Sequence, residues 1–338
     1  MSNTHDLSSL IQIGLNAVVF AVHKDDAKVL VVPQNTPSNP EKTDSLPSGL
    51  FDPVKDRTLN LGLRRWIHDL TGLQVGYVEQ LYTFGNKYRD SREADGGPRY
   101  LSVSYLGLTS EKEPAEDSHA KWVDIYHYLP WEDWRDGRPA LINEVILPEL
   151  EKWCLEETNS ADVKRRQGQV FMAFGDRDDH FDHERVLTRL ELLYNSGLLF
   201  EAHRDFQNLK RHVSSFPITR DLETHNDLKE RVSPKLGLSM SLDHRRILAS
   251  ALERVRGKLR YRPLVFELMP EEFTLFHLQR VVEALSGTRL HKQNFRRLMQ
   301  NEQLVEETGR MEALERGRPA ALFRFREQVF HERPMPKA

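Results

Sequence analysis

Residues 59–73, Leu59-Asn60-Leu61-Gly62-Leu63-Arg64-Arg65-Trp66-Ile67-His68-Asp69-Leu70-Thr71-Gly72-Leu73, decide the fold of the N-terminal part of the chain. Leu59, Leu63, Ile67 and Leu70 recur at the spacing of one helix face, with Trp66 beside them. Gly72 follows as the residue that accepts a left-handed helix end. Upstream, 10–20 alternates and then becomes continuously apolar. Ala17 to Val22 is the longest such run of the chain, and 28–32 is a second one. His23-Lys24-Asp25-Asp26 between them reads as a hairpin turn. Pro33 to Ser48 holds several prolines and small polar residues and is expected to be a loop. Downstream, 75–84, 100–108 and 121–125 read as strands, with a polar, glycine-containing loop over 85–98. Residues 141–157 read as a helix despite Pro148. Strands with one or two packed helices make an α+β domain over the first ~155 residues.

The chain has 338 residues, long enough for two or three domains. No apolar run reaches the roughly 18 residues of a membrane helix, and 1–10 lacks the basic start and apolar core of a secretory signal. Cys154 is the one cysteine, which rules out an internal disulfide or a cysteine-rich zinc site. A cytoplasmic location without membrane association is therefore expected. Fourteen histidines are present, and 178–184 (Asp-Asp-His-Phe-Asp-His-Glu) is the densest candidate metal cluster. Neighbouring residues cannot all face one ion, so this stretch reads as an acidic solvated loop and no metal site is expected.

A net charge of −3 hides an uneven distribution. Residues 243–263 carry seven bases against two acids, and 289–326 carry nine against five, whereas 109–117 and 176–184 are mostly acidic. A basic C-terminal third is compatible with a local DNA-binding surface; the alternative for each run is a solvated helix face. Asp243 can cap a helix over 244–259. Thr274 can cap a second helix carrying Leu275, Leu278, Val281, Val282 and Leu285. After a Ser286-Gly287-Thr288 turn, a third helix spans 290–301 with Phe295, Leu298 and Met299 inward. That leaves Lys292, Gln293, Asn294, Arg296, Arg297 and Gln300 outward. Arginine, asparagine and glutamine read base edges, whereas lysine mainly meets phosphate. Two strand-like stretches, 304–307 and 321–325, flank a glycine- and arginine-containing segment of wing length, whose Arg310, Arg316 and Arg318 can meet phosphate or a minor groove. The middle, 160–241, reads as helical, with a stripe from Val186 to Tyr194, a continuation over 198–212 and a polar connector over 216–239.

The segment from Leu46-Pro47-Ser48-Gly49 to Gly72-Leu73 resembles the Nudix box. Anchored at Gly72, Arg65, Ile67, Gly72 and Leu73 match, while Trp66, Asp69 and Leu70 stand where the helix glutamates belong. The upstream glutamate falls on Lys55 or Arg57, depending on the end counted from. Nudix hydrolysis holds Mg²⁺ with a carboxylate cluster, so the resemblance implies a Nudix-like domain with no catalytic residues. An active pyrophosphatase acting on ADP-ribose or a related nucleotide is the alternative.

Gln80-Leu81-Tyr82-Thr83-Phe84-Gly85, Arg89-Asp90 and Leu101-Ser102-Val103-Ser104-Tyr105 resemble a strand–loop–strand unit of NrtR-type, Nudix-related transcriptional regulators. Residues 254–261, 266–275, 292–297 and 317–320 resemble the winged helix of the same family. The longer chain and altered box are similar to the NadQ-like branch, and about 110 middle residues look like an addition to the ordinary family pattern. The resemblance implies an N-terminal Nudix-like α/β/α sandwich over 1–157, a helical segment over 158–240 and a C-terminal winged helix-turn-helix over 241–338. It also implies a homodimeric repressor of NAD-biosynthesis genes that binds double-stranded operator DNA. NAD, ATP or ADP-ribose would be the effector rather than a cofactor, held by Phe84, Lys87, Arg89, Arg99, Tyr105 and Arg65.

Overall fold

In a computed structural model, the structure describes residues 10–36, 39–87, 89–90, 93, 97–110, 113–176, 178–212, 234–259, 264–312 and 319–326. A mixed sheet in the order β3-β2-β1-β6-β5 organises the N-terminal part. Its strands are β1 (Ile11–His23), β2 (Asp26–Thr36), β3 (Asn39–Ser45), β4 (Ser48–Leu50), β5 (Tyr77–Phe84), β6 (Arg99–Leu108) and β7 (Lys121–Asp124); β4 joins β1 and β7 joins β2. β1 runs parallel to β6 and antiparallel to β2. Lys24 and Asp25, both at positive φ, close the expected β1–β2 hairpin. The 33–48 loop is corrected: its backbone forms the β2 end and β3, where Pro33 lies opposite Asp44. β3, which holds Pro40, is the sheet's last strand, and edge strands tolerate prolines because one side of their ladder is unpaired.

β1 explains the continuous apolar run. Leu15, Ala17 and Val19 face α1 (Leu59–Thr71), which contributes Leu63 and Ile67, while Val18, Phe20 and Val22 face the opposite side. A central strand buried on both faces cannot alternate. Thr58 caps α1, and Gly72 ends it at φ 71°, its N–H donating to the His68 carbonyl at 2.8 Å. A π-helical turn over Ile142–Ile146 leads without a break into α2 (Leu147–Leu155), with the Leu147 N–H on the Ile142 carbonyl, and this widened turn directly precedes Pro148.

The middle segment contains α3 (Ser160–Phe174), α4 (Val186–Asn195) and α5 (Phe200–His212); the connector lies largely outside the described residues. α6 (His244–Leu259) covers the second sheet face with Ile247, Leu248, Ala251, Leu252 and Val255 and also packs on α4. α7 (Leu275–Ser286), α8 (Lys292–Asn301) and the sheet of β8 (Phe273–Thr274), β10 (Ala320–Phe325) and β9 (Val305–Glu312) form the winged helix. One apolar core runs from Val18 through Leu190 and Leu252 to Phe325. It therefore crosses both boundaries expected from the sequence. Among the described residues, no helix is long and apolar enough to cross a membrane.

Candidate nucleic-acid interface and effector site

Within the winged helix, the Thr274 side chain accepts from His277 N–H at 3.1 Å and starts α7, and Gly287 ends it in the left-handed conformation. Any β-carbon on Gly287 would lie 2.4 Å from the Glu132 carbonyl oxygen, so glycine is required there twice over. Glu283, almost fully buried, sets the turn that follows. One carboxylate oxygen accepts from Leu290 N–H at 2.9 Å and Gln279 at 2.8 Å, and the other from Arg280 at 3.0 Å and Arg289 at 3.1 Å. Burial works against its charge, yet these donors outweigh it and hold the carboxyl below its ordinary range.

That turn presents α8, whose Phe295 and Met299 are buried. Lys292, Gln293, Asn294, Arg296, Arg297 and Gln300 are exposed. Leu298, expected inward, is half-exposed, because at 100° per residue it lies on the flank of the Phe295–Met299 stripe. Among the described residues, no ion pair involves Lys292, Arg296 or Arg297. In the wing, Arg310 is exposed and pairs with Glu272 at 2.5 Å. Arg316 and Arg318 lie outside the described residues.

In the described part of the basic run, 243–259, each base has a partner within the chain. Arg245 is buried, donating to the Tyr128 carbonyl at 2.8 Å and to Glu201 at 3.2 Å. Arg256 is buried on Glu132. Arg246 pairs with Glu191, and Arg254 and Lys258 both pair with Glu79 on β5. Residues 260–263 lie outside the described residues. α6 is thus a strut between sheet, middle helices and reading head, held chiefly by the buried Arg245 and Arg256.

The expected effector residues do not converge. Arg65 donates to both oxygens of Asp56 at 2.8 Å. Asp56 lies between Lys55 and Arg57, the two positions reached by counting along the box. Its carboxyl is held low, first by the Arg65 hydrogen bond. Trp66 lies over Gly49 and donates to the Leu50 carbonyl at 2.8 Å. Asp69 is exposed and 3.7 Å from Arg65. Among the described residues, no three His, Cys, Asp or Glu side chains group as metal ligands.

Arg89 is taken by both oxygens of Asp243, and Arg99 donates to the Gly85 carbonyl at 2.8 Å. Lys87 is exposed on the loop between β5 and β6. Phe84 and Tyr105 sit on opposite faces of the sheet, Phe84 in the core beneath α6 and Tyr105 in the core beneath α1, so they cannot stack on one base. A β-bulge between Gln80 and Tyr82 causes this by shifting the parity of β5.

Next to Arg89, the buried His244 ring accepts from Leu46 N–H at 3.1 Å and lies 2.9 Å from Ser45 Oγ. Burial pushes its pKa down to about 4, below the ordinary 6.5. The folded state therefore favours the neutral ring, and its stability is full above pH 6.5 and declines as pH falls toward 4. At pH 5 the expected loss is about 2 kcal/mol, from roughly 1.4 kcal/mol per pH unit. His244→Asn, which keeps an acceptor at the Nδ1 position, should flatten the slope of urea stability between pH 7 and 5. An unchanged slope would assign it to other groups such as His183, which burial also takes to about 4.

Residues 265–325 match the NrtR DNA-binding winged helix domain. Over 90 residues the chain is 41% identical to the "ADPR responsive transcriptional repressor NtrR" of Acinetobacter baylyi, covering 27% of this chain and 36% of that protein. The match thus spans about a third of the relative's length. The fold is similar to that of Shewanella oneidensis NrtR complexed with a 27mer DNA, with TM-score 0.54, 21% identity and 94% of each chain covered. Against the structure of the same Shewanella protein without DNA, the TM-score is 0.52 at 21% identity, covering 93% of this chain and 94% of that one. The chain thus shares the fold of the Shewanella protein, and its C-terminal part is a winged helix.

Proposed function

We propose that this chain is a transcriptional repressor that binds operator DNA through α8 and its wing and releases or grips it in response to an adenine nucleotide, of which ADP-ribose is the first candidate. The observation that carries this reading is the outward row on α8: cations and amides without acidic partners among the described residues, on a helix held by a buried carboxylate turn. Lys292, Gln293, Asn294, Arg296, Arg297 and Arg310 are the proposed DNA contacts. NAD-biosynthesis promoters are the proposed targets, and a homodimer the proposed binding form. NAD and ATP are the further effector candidates. The N-terminal unit senses rather than hydrolyses, because Trp66 and Leu70 supply no oxygen ligands, Asp56 is engaged by Arg65, and Mg²⁺ needs several hard oxygens. The residues present do not fit a Nudix metal cluster.

Regulation then requires the nucleotide to bind the DNA-bound and free forms with different affinity. Gel shifts on NAD-biosynthesis promoters and on a duplex selected by the protein from a random pool, with and without ADP-ribose, NAD and ATP, test the reading. A shift that the nucleotide alters supports it, and indifference to every duplex rejects it. ADP-ribose incubated with the protein and Mg²⁺ should be recovered intact; turnover would revive the hydrolase.

A further inference from the structure

A groove of about 740 Å³ opens between β5 and the helices α4 and α6, well within the size range of small-molecule sites. The bulge at Leu81 builds it. Before the bulge, Glu79 lies opposite Leu106; after it, Tyr82 and Phe84 lie opposite Ser104 and Ser102. All three therefore point to the α6 side, which an unbroken strand of alternating faces could not arrange. Tyr82 is 66% exposed, an aromatic ring left uncovered on an otherwise packed sheet face, with Phe84 edge-on at 5.3 Å.

The facing wall is α6. Gly257 lines the groove in the last turn of that helix, where glycine is unfavourable by roughly 1 kcal/mol relative to alanine. A β-carbon there would meet nothing within 4 Å, so the glycine is not demanded by packing; what it preserves is open space. Polar character is divided along the groove. At one end, Arg254 at 2.8 Å and Lys258 share the single carboxylate of Glu79, two cations against one anion. Further along, Ser250 and Glu253 offer a hydroxyl and a partly buried carboxylate that already accepts from Leu187 N–H at 2.9 Å, and the α4 side adds Glu184 and Glu191, the latter paired with Arg246.

We infer that this groove is the effector site and takes a nucleotide, its base stacked on Tyr82, its hydroxyl or amino donors on Ser250 and Glu253, and its phosphate on Arg254 and Lys258. Base stacking on an exposed aromatic ring and phosphate on paired cations use each wall for what it offers. The inference rests on the functional reading above and adds the place and the means of regulation. Phosphate competes with Glu79 for Arg254 and Lys258. Glu79 is the tie between the sheet and the last turns of α6, and Arg256 on that same turn donates to the Leu285 carbonyl at the end of α7. Loosening the tie therefore acts on the helix that carries α8.

The test is calorimetry of ADP-ribose on the full chain, with folding of each variant read by its melting temperature. Gly257→Phe places a ring in the open space and should weaken ADP-ribose binding about tenfold or more. Tyr82→Ala, at an exposed side chain, should weaken it in the same direction and serves if the phenylalanine variant fails to fold. Glu79→Gln should bring the ratio of duplex affinities with and without ADP-ribose toward one, since the tie is then already loosened. Folded variants at both positions that bind ADP-ribose like the unaltered protein would overturn the groove while leaving the repressor reading standing. An unaltered protein that binds no ADP-ribose would also overturn it. Loss of duplex binding in the unaltered protein would instead defeat the repressor reading, and calorimetry would still decide the groove.

Discussion

Glu132→Ala should cost about 3–5 kcal/mol of stability, the usual penalty for stripping one partner from a buried ion pair. The carboxylate accepts from Arg189 Nε at 2.6 Å and Nη2 at 3.0 Å, and from Arg256 Nη1 at 2.5 Å. Its own backbone carbonyl accepts from Arg256 Nη2 at 2.9 Å. All three residues are buried, and the two guanidiniums also reach the carbonyls of Ala173, Asp182, His183 and Leu285. One carboxylate thus balances two cations where the middle helices, α6 and the end of α7 meet. Removing it leaves two charges in the interior with only carbonyls for company. Against a total stability of about 5–15 kcal/mol, that loss should be plain in urea unfolding.

The pH dependence has a definite sign. Burial pushes the Glu132 carboxyl up, but the two guanidiniums outweigh it and the net shift is down. A depressed carboxyl stabilises the fold above its ordinary range near 4.5 and loses that contribution as pH falls through the folded value. Glu132→Gln should therefore be destabilised at neutral pH and lose less than the unaltered protein on acidification below 4. Urea midpoints at pH 7 and at pH 3.5 to 4 measure both. Equal stability of variant and parent at pH 7 would mean that the junction contributes packing alone.

Particular residues show where the sequence was readable. β1, α1 with Gly72, and the winged helix were legible because a long apolar run, a helical stripe and cap residues are local signals. α3 was not singled out: its sequence carries an interior Gly168 and exposes Phe171 and Met172, which blurs the apolar stripe. The bulge at Leu81 left no signal in the alternation of β5, so Phe84 and Tyr105 were placed on one pocket when they lie on opposite faces. Arginine was the least readable residue. Arg65, Arg89, Arg245 and Arg256 resemble ligand-binding cations in sequence, yet each is neutralised or held by a residue from elsewhere in the fold, as Arg89 is by Asp243, 154 positions away. A charge run cannot reveal whether its partners come from solvent, nucleic acid or the chain itself.

That distinction sets the expected result for α8. Arg297 lies at roughly 180° from the midpoint of Phe295 and Met299 on the helix, at the centre of the outward face, with Gln293, Asn294 and Gln300 around it and Arg296 on one flank. Unlike Arg256, neither arginine has an acidic partner among the described residues, so neither has a structural duty to lose. Arg297→Ala should therefore leave the melting temperature unchanged while weakening a selected duplex by about 1–3 kcal/mol, roughly fivefold to 150-fold. A loss confined to particular base pairs marks a base-edge contact, since bidentate arginine–guanine pairs discriminate by that amount. Arg296→Ala, nearer the flank, should instead weaken all duplexes alike and lower the slope of log affinity against log salt by about one. Both variants should bind ADP-ribose as before, because α8 takes no part in the groove. If Arg297→Ala binds the selected duplex with full affinity, the outward face of α8 is not what reads DNA, and the surface carrying Phe276 and His277 on α7 becomes the one to probe.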